Sequence, residues 1–99
     1  MTDSPVSKRL KEARVAAGLS QKSLGIAAGI DEFSASARMN QYETGKHAPD
    51  YLTLTRIAKV LKLPTAYFYA ESDELAKLVE LFSRSKKSGR IVILKKLGA

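Results

Sequence analysis

The sequence predicts an all-α protein, with five helices around one small core and one or two further helices after it. Two observations carry that reading. Apolar side chains recur at i, i+3, i+4 and i+7 in successive segments, the period of a helix with one buried face. The segments open on Ser or Asp and close on Gly or before Pro, the residues that start and stop helices.

A first helix is expected from Pro5 or Val6 to Ala17. Ser4 is its candidate N-cap, Pro5 suits its first position, and Gly18 closes it. Leu10, Ala13 and Ala17 form the inner stripe, while Lys8, Lys11 and Glu12 face water. Ser20 then caps a second helix, because its hydroxyl can accept a first-turn N–H. Gln21 and Lys22 sit at that N-terminus. Leu24, Ala27 and Ala28 make a narrow apolar stripe, and Gly29 ends the helix. A third helix starts near Ser34 or Ser36, buries Ala35, Met39 and Tyr42, and ends at Gly45. Lys46 to Asp50 is a loop, since Pro49 excludes a continued helix. Asp50 caps a fourth helix, Tyr51 to Leu61, with Leu54, Ile57, Ala58 and Leu61 inward. After Pro64, a short fifth helix, Thr65 to Tyr69, inserts Phe68.

Beyond Glu71, Ser72 is an N-cap candidate, and Asp73 and Glu74 favour the positive end of the helix that follows. Leu75, Leu78, Val79 and Phe82 give it a strongly amphipathic stripe. Ser83 to Gly89 reads as a basic connector. The run Ile91 to Leu94 with Leu97 has two readings. Its β-branched residues favour a strand; Ser88 as a cap and the Leu94/Leu97 spacing favour a helix, which is preferred here. The division expected is a body over 1–71 and a helical extension over 72–99. The extension carries more apolar surface than the body needs, so it is the expected dimerisation region.

Composition bounds the function. Ninety-nine residues with 44% apolar side chains build one domain with little margin. No cysteine is present, so disulfides and thiolate metal sites are ruled out. That usage fits a cytoplasmic protein. The N-terminus, Met1 to Arg9, lacks the apolar core of a signal peptide. No apolar run exceeds five residues, so no membrane span is expected. The net charge of +7 favours a polyanionic partner. It is unevenly spread: residues 1–50 hold seven basic and six acidic side chains, and residues 51–99 hold ten and four.

The outer face of the third helix is the most informative chemistry. Ser36, Ala37, Asn40 and Gln41 are small or amide side chains where a solvated helix would carry Lys and Glu. Asn and Gln offer a donor beside an acceptor, which suits base edges in the DNA major groove. His47 is a lone histidine in a loop and makes neither a metal site nor a catalytic pair. No nucleophile–base pair, carboxylate pair or phosphate-cradling loop is visible, so no enzyme activity and no cofactor are expected.

Arg9-Leu10-Lys11-Glu12-Ala13-Arg14, Gly18-Leu19-Ser20-Gln21, Leu24, Gly29-Ile30, Tyr42-Glu43-Thr44-Gly45-Lys46, Pro49, Leu54, Ile57-Ala58, Leu61 and Leu63 together resemble the Cro/lambda-repressor-like helix-turn-helix proteins, the XRE family. The likeness covers about two thirds of the chain, Arg9 to about Glu71. It implies a five-helix DNA-binding domain and a sequence-specific transcriptional regulator, a repressor acting by operator occupancy on double-stranded DNA as a homodimer. It implies a phosphate contact from Gln21, and Lys22, Lys46 and His47, close to the ends of the two helices, are the further candidate phosphate contacts. It implies base reading by Ser36, Ala37 and Gln41, with Arg38 and Asn40 beside them, and a structural role for Glu43. Two features depart from the pattern. Gly25 stands where the family usually has Ala, as close helix contact would require. About four residues are also in surplus between Gly29 and Glu43, and they are expected to enlarge the turn at Asp31-Glu32-Phe33. The rival readings are an antitoxin or restriction–modification controller of the same fold, with a protein partner held by 72–99, or a protein–protein adaptor that does not read DNA.

Overall fold

The computed structural model describes residues 4–99, so the first three residues of the segment read as lacking a signal peptide lie outside it. The described residues form six α-helices and one 3-10 helix, with no strand: α1 (Val6–Ala16), α2 (Gln21–Ala27), α3 (Glu32–Thr44), α4 (Tyr51–Leu61), the 3-10 helix Thr65–Tyr69, α5 (Asp73–Arg84) and α6 (Lys87–Lys96). None of these helices is long and apolar enough to cross a membrane.

Local chemistry sets most boundaries. Ser20 Oγ accepts from Ser23 N–H at 3.0 Å, Asp50 from Thr53 N–H at 2.8 Å, and Ser72 from Leu75 N–H at 3.0 Å. Each carries a first-turn donor that the helix itself cannot satisfy. Ser4 Oγ accepts from Val6 N–H at 3.2 Å, and Pro5 holds the N-cap position of α1. Gly18, Gly29 and Gly45 take positive φ at the ends of α1, α2 and α3.

The core lies among α1 to α4 and the 3-10 helix. Phe68, Leu10, Leu24, Met39, Leu54 and Ile57 are fully buried there, and Ala28, Tyr42 and Leu61 close around them. Val6, Ala13, Ile30, Ala35 and Ala58 complete the cluster.

Several expectations need correction. The third helix does not begin at Ser34 or Ser36. Asp31 caps it, accepting from Phe33 N–H at 3.0 Å, and helix runs from Glu32. The surplus residues therefore lengthen α3 by about one turn of 3.6 residues instead of enlarging the turn. A whole turn preserves the helix face, so Ala35, Met39 and Tyr42 still point inward. The longer helix passes directly over α2. A Cβ on Gly25 would lie 2.9 Å from Ala35 Cβ and 3.2 Å from Ala35 Cα, so only glycine fits there. Ala17 and Ala27 are exposed, at the C-terminal ends of their helices, and Gly25 takes the inner place. The segment 83–89 is not a connector. Helix α5 runs to Arg84, only Ser85 and Lys86 intervene, and Ser88 lies inside α6 rather than capping it. The preferred helical reading of the last segment holds.

Helix α5 docks on the body at its N-terminal end. Arg9 is only 4% exposed: its Nε donates to Ala70 O at 3.1 Å and its Nη1 to Asp73 at 2.7 Å. Lys8 Nζ reaches the same carboxylate at 3.2 Å. These bonds pull the Asp73 carboxyl below its ordinary pKa, the Arg9 hydrogen bond most of all. Ala76 is the one buried residue of α5, and α6 has none. The stripe Leu75, Leu78, Val79 and Phe82 does not fold into the body's core.

Candidate nucleic-acid interface

Arg14, on α1, holds the site together. Its Nε and Nη2 donate to the two Glu43 oxygens at 2.6 and 2.9 Å, and its Nη1 donates to Leu19 O at 2.9 Å. The bidentate fit suits a planar guanidinium. The Glu43 side chain is 3% exposed, and the bond to it raises the Arg14 pKa further above its ordinary value. Gln21 Nε2 donates to Glu43 Oε1 and to Asn40 Oδ1, both at 3.2 Å. Glu43 thus ties α1 and the start of α2 to the last turn of α3, the structural role expected of it.

This network fixes how two parts of one face meet. The N-terminus of α2 stands against the C-terminal half of α3, over an open cleft of about 410 Å³ edged by Lys11, Ser20, Gln21, Asn40 and Thr44. Gln21 and Asn40, nineteen residues apart, are in contact there. Lys11 belongs to this edge, although the sequence pattern gave it only a water-facing place. No local signal distinguishes it from Lys8; only the packing of α1 against α3 does.

The other expected residues are distributed unevenly. Ser36, Ala37 and Asn40 are exposed and Gln41 is half-buried, all away from the core-facing stripe of α3. Arg38 turns to the opposite flank. Its Nη2 donates to Tyr42 Oη at 2.7 Å and its guanidinium lies 5.8 Å from that ring's centre. It also lies near enough to the Asp50 carboxylate to help lower its pKa, which is lowered chiefly by hydrogen bonds from Thr53. Lys22 and Lys46 are exposed at the ends of α2 and α3. His47 sits away from the cleft, beside Ser4, Val6 and Ser7 at the start of α1. Among the described residues, no three His, Cys, Asp or Glu side chains gather as metal ligands.

The likeness of the whole chain to a solved structure gives its class: it belongs to the family of transcriptional regulators that includes BswR. The crystal structure of transcriptional regulator BswR is 46% identical and matches with a TM-score of 0.85, covering 92% of this chain and 90% of that one. So large a share cannot be reached without the α5–α6 hairpin, so body and hairpin are alike together. No family model and no curated protein matches the chain.

Proposed function

We propose that this regulator is a sequence-specific DNA-binding protein of the Cro/lambda-repressor-like (XRE) type, a cytoplasmic repressor that acts by occupying its operator. It needs no cofactor and catalyses no reaction. The observation that carries the reading is the outer face of α3. Ser36, Ala37, Asn40 and Gln41 lie off the core-facing stripe of α3, and Asn40 meets Gln21 at the N-terminus of α2. Amide and methyl groups so placed match adenine edges and thymine methyls. Gln21, Lys22, Lys46 and Lys11 surround that face as phosphate contacts, which position the protein without reading sequence.

The working form is a homodimer joined through 72–99. Helix α6 is ten residues long and buries no side chain, and helices that short are marginal in water without packing. With α5 it forms an apolar groove of about 300 Å³ along Leu78, Phe82, Ile93, Leu94, Leu97 and Pro64. A second copy supplies the same apolar surface in return. A different protein in that groove, as in an antitoxin, is the second reading, and the groove is what favours it.

Selection of bound sites from a random duplex library, followed by footprinting, tests the proposal. A two-fold symmetric site is expected, with affinity falling steeply as salt rises. Gln41→Ala should relax preference at one position per half-site, by ~1–3 kcal/mol. Gln21→Ala should weaken all duplexes alike, by ~1 kcal/mol. Failure to enrich any duplex at low salt overturns the reading.

A further inference from the structure

The added first turn of α3 carries a side chain that the body does not use. Phe33 is 90% exposed, the most exposed of the large apolar side chains among the described residues. No packing holds it there, and an apolar ring left in water gains nothing for the fold. Its place on the helix is specific. Phe33, Ala37, Asn40 or Gln41, and Thr44 follow at i, i+4, i+7 or i+8, and i+11, so they form one outward ridge. The ridge is graded in chemistry, with a ring and a methyl at its first end and amides and a hydroxyl at its last.

Resting on the DNA-reading proposal above, the geometry points to Phe33 as a specificity-determining residue that reads a thymine 5-methyl group in the major groove. The methyl is the one apolar group that base pairs present on that edge. The neighbouring charges agree. Asp31 and Glu32 stand at the same end of α3, and two acids would be repelled by phosphates. The added turn is therefore not a phosphate contact, which leaves base edges as the part of a duplex that its ring suits. Gln21 and Lys11, proposed as phosphate contacts, edge the cleft at the other end of α3, so the effect of Phe33 should be on preference rather than on general affinity. The hairpin, by contrast, exposes a contiguous set of apolar side chains, whereas Phe33 is one ring between polar neighbours, too little for an interface between proteins.

The test uses the full chain and the site that wild type selects. Each thymine of the half-site is replaced in turn by deoxyuridine, which removes only the methyl. Wild type should lose roughly fourfold in affinity at one position, the value of one buried methyl. Phe33→Ala should lose preference for thymine there and should not distinguish thymine from deoxyuridine. Phe33→Leu should keep part of the discrimination. Binding to non-specific duplex and the melting temperature should be unchanged in both variants. If Phe33→Ala keeps the wild-type site and the wild-type response to deoxyuridine, the inference is wrong while the DNA reading stands. If Phe33→Ala instead changes the sedimentation of the free protein, the ring belongs to a contact between copies and the inference is wrong. If wild type selects no site, the DNA reading and this inference fall together.

Discussion

The body and the α5–α6 hairpin are written in the same alphabet but are used differently. Both have apolar stripes at helical spacing. In the body, Leu10, Leu24, Met39, Leu54, Ile57 and Phe68 are fully buried. In the hairpin, Leu75, Leu78, Leu81, Ile91, Val92, Leu94 and Leu97 remain exposed. The body closes because its four helices and the 3-10 helix face one another around Phe68. The hairpin is two helices joined by Ser85 and Lys86, with Arg90 donating to Phe82 O and Ser83 O and lying 5.6 Å from the Phe82 ring. The two helices leave an open groove between them, lined by Leu78, Phe82, Leu94 and Leu97, instead of a buried seam. Amphipathic spacing thus promises a partner without saying whether the same chain provides it.

The largest expected effect separates the two regions outright. Removing residues 72–99 should leave a folded body, because no fully buried large side chain is lost. Its operator affinity should fall ~10²–10⁴-fold, as two half-site contacts cease to be joined. Sedimentation and duplex titration of the truncated chain check this. A truncated chain that stays dimeric moves the seam into the body, and one that unfolds makes α5 part of its core.

Single substitutions should sharpen the contrast. Phe68→Ala should cost ~3–5 kcal/mol in denaturant unfolding, the range for a large aromatic removed from a packed core. Val92→Ala, on the exposed face of α6, should leave unfolding of a dilute monomer nearly unchanged. Equal losses at the two sites would mean that the hairpin face is packed as tightly as the body.

Gly25→Ala should destabilise by ~1–3 kcal/mol through overpacking against Ala35, even though alanine favours a helix by ~1 kcal/mol. Pairing it with Ala35→Gly should recover much of the loss. A stabilising Gly25→Ala would mean that α3 does not cross α2 as described.

Acid should produce the smallest and most local effect. Hydrogen bonds from Arg9 and Lys8 hold the Asp73 carboxyl below its ordinary value. A depressed folded-state pKa stabilises the fold above the unfolded-state value of ~3.9, and that stabilisation is lost as pH falls through the lower folded-state value. The Asp50 carboxyl, capping α4, is lowered in the same sense. Helix α4 is also held by Leu54, Ile57, Ala58 and Leu61, whereas α5 buries Ala76 alone. Amide exchange below about pH 4 should therefore rise first in α5. Asp73→Asn should remove that pH dependence. Simultaneous loosening of α4 and α5 would contradict it.

The sequence alone determined whatever rests on near neighbours. Ser20, Asp50 and Ser72 cap as read, because a cap is an interaction across three residues. Helix α4 and the 3-10 helix follow the expected bounds and bury the expected side chains. Ser36, Ala37, Asn40 and Gln41 fall together on the outer side of α3 because helical period alone puts them there. The tertiary structure decided what depends on remote contacts. Asp31, Ser34 and Ser36 could each start a helix. Asp31 is the start, its carboxylate accepting from Phe33 N–H, and the helix that follows packs on α2 with Ala35 against Gly25. That choice exposed Phe33, which spacing counted from the wrong start could not single out. Arg9 is buried because α5 brings Asp73 to it, sixty-four residues away. The hairpin's stripe stays open because its burial depends on which surfaces meet, and periodicity within one segment carries no information about that.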